Sequence, residues 1–119
     1  MLMKVIDIYK QYFSAQCTFQ GVERKAAMVC LTATSENGTI TYEVGVSFFP
    51  HRDEEDFAIS YDAYGSKVIF HAKGRRSKKR EEQFLAQVQS VADEIARQMQ
   101  GVIFWEKPIG LKNIFGALP

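Results

Sequence analysis

AMVCLTATSENGTITYEVGVSFF, residues 27–49, decides how this chain folds. Two runs rich in β-branched and aromatic residues flank Asn37-Gly38, and both of these residues accept the positive φ of a two-residue hairpin turn. If Asn37 and Gly38 form the loop, the register follows. Tyr42 faces Ala33, Val44 faces Leu31, Val46 faces Val29 and Phe48 faces Ala27, with Ile40 extending the same side. The other side carries Met28, Cys30, Thr32 and Thr34 opposite Thr41, Glu43, Gly45 and Ser47, which are small or semi-polar. Turn chemistry and period-two alternation agree independently, so the hairpin has one dry face and one mixed face.

Upstream, Leu2, Val5, Ile8, Tyr9, Tyr12 and Phe13 recur at helical spacing, which predicts a helix over residues 2–14. Their β-branched and aromatic content keeps a strand as the alternative. Residues 15–24 carry no clear period, and Gly21 marks a turn or bulge. Downstream, Pro50 ends the second strand and His51-Arg52-Asp53-Glu54-Glu55-Asp56 forms an acidic loop. Phe57, Ile59 and Tyr61 alternate, Ala63-Tyr64-Gly65 reads as a turn, and Val68, Phe70 and Ala72 alternate again, which predicts a second hairpin.

Phe84, Val88, Val91, Ile95 and Met99 then define an amphipathic helix from about Ser77 to Gln100, with Gly101 as its left-handed stop. Val102–Trp105 suits a short edge strand, and Ile109–Leu118 is an apolar tail. The expectation is a single α+β domain over residues 1–119. It has an N-terminal helix, a four-stranded antiparallel sheet, a long C-terminal helix packed on one sheet face, and the tail.

Hydrophobic residues at 46% and charged residues at 24% are those of a globular domain large enough to hold its own core. No apolar run reaches the ~18 residues of a membrane span, and Lys4, Asp7 and Lys10 interrupt any signal-peptide core. The expected location is cytoplasmic, with no membrane partner. Cys17 and Cys30 fit no CxxC or zinc spacing and read as small buried hydrophobes. No cofactor or metal is implied. His51 with Asp53, Glu54, Glu55 and Asp56 lacks the ligand spacing of a calcium loop or a zinc site.

The net charge of +1 hides an asymmetry. Lys73, Arg75, Arg76, Lys78, Lys79 and Arg80 are six of the 15 basic residues, leaving nine against 14 acidic ones elsewhere, a balance of −5. The run falls where the helix begins, the end whose dipole repels cations. It would bind a polyanion, most simply nucleic acid, with salt-sensitive affinity. Gly74-Arg75-Arg76-Ser77-Lys78-Lys79 and the order helix, strands, helix resemble the double-stranded RNA-binding domain, in which a Ser-Lys-Lys opening the last helix contacts phosphates across a groove. The likeness covers residues 74–79 and the element order. It departs in strand number and at Glu81-Glu82-Gln83-Phe84, where that family has a small, Ala-rich helix start. The competing reading pairs Glu55 with Lys73 and Asp53 with Arg75 across the second hairpin, leaving a self-neutralised surface.

His71 shares the mixed face with Cys30 and Ser47, but no spacing guarantees a nucleophile, base and orienting group. Ile109, Leu111, Ile114, Phe115 and Leu118 would each gain roughly 1.5–3 kcal/mol on burial, so they must cover the sheet, a second subunit or another protein. The first functional expectation is therefore a non-catalytic association domain acting through protein–protein contacts, including a homodimer. The second is a polyanion-binding module using residues 73–80, and the third an enzyme with an unrecognised site.

Overall fold

The turn at Asn37 and Gly38 forms with φ of 54° and 78° and joins β2 (Val22–Glu36) to β3 (Thr39–Phe49). The ladder pairs Ala27 with Phe48, Val29 with Val46, Leu31 with Val44 and Ala33 with Tyr42, the register that the turn chemistry requires. All eight side chains are buried. The computed structural model describes residues 3–50 and 63–105.

The N-terminal segment is not a helix. Residues 4–19 form β1 (Lys4–Phe19), antiparallel to β2. The helical spacing of its apolar residues has a physical origin in the sheet. The register shifts between Asp7 and Tyr9 and again between Ser14 and Cys17. A β-bulge breaks strict alternation, so the consecutive residues Ile8 and Tyr9 are both fully buried while Val5 and Tyr12 stay exposed. One interruption of a period of two, at Ile8, together with the exposed Val5 and Tyr12 on the opposite face, thus imitates a period of 3.6. Gln20 and Gly21, with φ of 54° and 77°, close the β1–β2 turn.

Among the described residues the sheet has five strands rather than four, in the order β4-β3-β2-β1-β5, and it curls as a half-barrel. β4 (Ala63–Lys73) pairs with β3 and begins at the residues expected to form a turn, since Ala63 lies opposite Phe48 and Gly65 opposite Val46. The expected partner strand at residues 57–61 and the acidic loop fall outside the described residues. The fold is dominated by its sheet, with one helix among the described residues, α1 (Lys78–Gln98), in place of the two expected. The periodicity located this helix correctly: Phe84, Leu85, Val88, Ala92, Ile95 and Ala96 are buried against the Val44 face. The chain enters α1 from one sheet edge and leaves it as β5 (Gly101–Phe104), which pairs with Ser14–Cys17 at the other. Among the described residues no helix is long and apolar enough to cross a membrane.

Gly101 is not the left-handed stop. Gln100 takes that conformation, with φ of 60°, and Gly101 is the first residue of β5. A Cβ there would stand 2.8 Å from Phe48 Cζ and 3.2 Å from the Gln16 carbonyl oxygen. The glycine is required by close approach to the core. Gly101→Ala is therefore expected to destabilise the fold by about 1–3 kcal/mol through overpacking, read as a lowered urea midpoint with an unchanged slope.

Candidate functional site

The basic run spans the end of β4, the turn at residues 74–77 and the first residues of α1, and hydrogen bonds within it and to the sheet hold it in place. Gly74 N donates to the Gly38 carbonyl at 2.9 Å, docking this turn on the β2–β3 hairpin. Ser77 is the N-cap of α1, and its Oγ accepts from Arg80 N at 3.3 Å. Arg76 donates to Glu81 twice, from Nε to Oε2 at 3.0 Å and from Nη2 to Oε1 at 2.8 Å. Tyr42, on the dry face of β3, donates its hydroxyl to Glu81 Oε2 at 2.7 Å and accepts from Ser77 N at 3.3 Å.

Glu81 is 3% exposed and Tyr42 is fully buried, so this is an interior polar network whose members satisfy one another. Burial, followed by the bond to Glu81, pushes the Tyr42 phenol up to about 12. The Glu81 bond also raises the Arg76 pKa. One of the six basic residues is thus an anchor. The sequence places Tyr42 on the dry face of the hairpin and gives no sign that Glu81 is buried beside it. The signal that links them is that a buried tyrosine hydroxyl requires a polar partner.

The other five cations, Lys73, Arg75, Lys78, Lys79 and Arg80, are exposed. Arg80 lies over the Phe70 ring at 4.8 Å, and Phe70 packs on Tyr42 and Phe84. Among the described residues no carboxylate makes a salt bridge to Lys73, Arg75, Lys78 or Lys79. Lys73 lies opposite Thr39. The expected pairing with Asp53–Asp56 falls outside the described residues. The element order shared with double-stranded RNA-binding domains is absent, because residues 4–19 form a strand. Only the local feature survives, a capping serine followed by two exposed lysines.

On the mixed sheet face, His71 Nδ1 and Thr41 Oγ1 share a 2.7 Å hydrogen bond. Cys30 lies opposite Gly45 and His71 opposite Thr41. Those two β3 residues are four apart, about 13 Å along the strand, so His71 is out of reach as a base for Cys30. Ser47 is farther still. Burial raises the Cys30 thiol pKa, which disfavours the nucleophilic thiolate. Among the described residues no three His, Cys, Asp or Glu side chains gather to hold a metal. A cavity of about 310 Å³ lies between α1 and β5, lined by Asp93, Ala96, Arg97, Val102, Ile103 and Trp105, with Trp105 Nε1 donating to Asp93 Oδ1 at 2.8 Å. The apolar tail residues Ile109, Leu111, Ile114, Phe115 and Leu118 lie outside the described residues.

Removing Glu81 takes the carboxylate away from both the Tyr42 hydroxyl and the Arg76 guanidinium, and removing the Tyr42 hydroxyl takes a donor from the buried Glu81. Glu81→Ala is expected to cost about 3 kcal/mol or more in unfolding free energy, and Tyr42→Phe about 1–2 kcal/mol, both read by urea denaturation at pH 7. The alkaline limit follows from the phenols. Tyr42 and Tyr9 both titrate near 12 in the folded chain, Tyr9 through burial, against about 10 when unfolded. A raised folded value means that the associated stability is whole below pH 10 and is lost as pH climbs through about 12. Tyr42→Phe should flatten, without abolishing, the fall in stability across that interval. No protein-family model, no characterised protein and no solved structure matches this chain.

Proposed function

We propose that this domain acts by binding, and that its ligand is a polyanion held by Lys73, Arg75, Lys78, Lys79 and Arg80. One observation carries the reading: these cations lie in and on either side of a turn whose backbone is held by the Arg76–Glu81–Tyr42 network and by the docking of Gly74 on Gly38. Ordering cations in advance lowers the entropy lost on binding. Their local field, rather than the near-zero net charge, governs encounter with a phosphate chain. Nucleic acid is the simplest such ligand. A cytoplasmic setting, in which Cys17 and Cys30 stay reduced, belongs to the same proposal.

A second reading is protein–protein association, including self-association. It is favoured by the exposed apolar residues Val102 and Phe104 on the short strand β5, which pair with Gln16 and Ser14. Apolar side chains on an edge strand invite pairing with another chain.

Arg76 belongs to the anchor and must be left intact in the test. Lys73/Arg75/Lys78/Lys79→Ala is expected to fold normally, as judged by circular dichroism and urea midpoint, yet lose affinity for a labelled polyanion. The slope of log affinity against log salt should fall by about 3, at about 0.7 per lost phosphate contact to a single strand. Wild-type protein that binds no polyanion even at low salt would refute the reading. For the second reading, Val102/Phe104→Ser should convert a dimer into a monomer by solution mass, and a wild-type monomer at high concentration would dismiss it.

A further inference from the structure

We infer that the polyanion is single-stranded nucleic acid, tracked along the outer face of β4 with its phosphates on the basic turn and its bases on Tyr64 and His71; this rests on the polyanion reading above. β4 is the outermost strand on its side of the described sheet. Pairing with Ser47, Gly45, Glu43, Thr41 and Thr39 places Tyr64, Ser66, Val68, His71 and Lys73 on the face away from α1. All five are exposed, Tyr64 to 57% and Val68 to 50%. The strip therefore begins with an aromatic ring, continues through an apolar side chain and an imidazole, and runs without interruption into Lys73 and Arg75.

Tyr64 sits on a prepared seat. Gly45 has no side chain beneath it, and a Cβ at that position would lie 3.0 Å from the Tyr64 hydroxyl, 3.4 Å from its Cε1 and 3.1 Å from Cys30 Sγ. The ring can lie close on the backbone of β3 while more than half of its surface meets solvent. The bond between His71 and Thr41 fixes the imidazole in the same way. A ring held from below and open above is what an unpaired base requires for stacking, and stacking tolerates any sequence because every base has a π-face. Bases in a duplex are already stacked on each other and cannot reach such a ring. From Tyr64 to Lys73 the strip is about 30 Å long, enough for a site of about four nucleotides or more.

Charge sets the direction in which the ligand lies. Glu43 stands opposite Val68 and accepts from Ser66 Oγ at 3.3 Å. Its carboxylate repels phosphate from the β3 side of the strip and leaves bases, not backbone, over the sheet. The positive end of the track lies at the start of α1, where the exposed lysines accumulate.

The full chain is titrated with fluorescein-labelled oligodeoxythymidine and oligouridine of about 15 nucleotides, with a duplex of equal length, and with heparin as a polyanion without bases. The single strands are expected to bind more tightly than the duplex. Tyr64→Ala should weaken them by about five- to one-hundredfold with heparin affinity unchanged, and Tyr64→Phe should restore the loss. Gly45→Val, which removes the seat and keeps the tyrosine, should reproduce the Tyr64→Ala defect. Equal affinity for duplex and single strand, or single-strand binding indifferent to Tyr64→Ala and His71→Ala while heparin still binds, overturns this inference and leaves the polyanion reading in place. Absence of binding to every one of these probes overturns both, and preference for an acidic polypeptide over the oligonucleotides would assign the basic turn to a protein partner.

Discussion

A carboxylate taken out of water has to be paired, and Glu81 is paired on two sides by groups from different parts of the fold. Arg76 reaches it from the turn preceding α1, and Tyr42 from the middle of β3. A single buried charge thereby fastens the first turn of the helix to the dry side of the sheet. It also resolves the dipole problem of a basic helix start: Glu81 is in the first turn, where negative charge is favoured, and it draws Arg76 inward away from the other cations. The remaining basic residues project outward because this one does not. Arg80 is steadied separately, over the ring of Phe70.

The same turn depends on the hairpin that organises the sheet. Asn37 and Gly38 set the register of β2 on β3, and the carbonyl of Gly38 then receives the amide of Gly74. An error of one residue at the hairpin would move Tyr42 to the other face and remove both the hydroxyl that Glu81 needs and the carbonyl that holds the basic turn. Core packing and surface charge are therefore consequences of one local choice of backbone conformation. This coupling explains why a domain without an evident catalytic motif still presents one surface whose geometry is tightly determined.

How much of this could be read from the chain varies by element. The β2–β3 register and the extent of α1 were legible because each depends on local chemistry: an Asn-Gly turn with alternating flanks, and an apolar stripe opened by a capping serine. β1 was not, because the register shift at Asp7–Tyr9 that puts Ile8 and Tyr9 side by side in the core belongs to the pairing with β2, which is not visible within residues 2–14. The start of β4 was misread for a related reason. Ala63-Tyr64-Gly65 has turn composition, but Gly65 is small because a Cβ there would lie 2.8 Å from Ile95 Cγ2 on α1. In the same way Gly101, a plausible helix stop, is a packing glycine beneath Phe48. The six basic residues stand together in the sequence, but their division into one anchor and five exposed cations required the positions of Tyr42 and Glu81.

The misreading of β4 also concealed the feature on which the proposed recognition surface rests. Cations alone attract any polyanion with little selectivity, since the gain comes largely from released counterions. A chain with nine basic and 14 acidic residues outside the run would confine such attraction to one place without choosing among ligands. Choice needs groups that respond to something other than charge. With Ala63–Gly65 as a turn, Tyr64 would be an isolated exposed aromatic. With those residues in β4, alternation places Tyr64 on the same face as Val68, His71 and Lys73, and Gly45 on the neighbouring strand gives its ring a place to rest. The two sets of groups are collinear because β4 leads directly into the basic turn. In the proposed site, selectivity and attraction would thus follow from one uninterrupted stretch of backbone, residues 63–80, whose two halves the sheet and the helix hold in place.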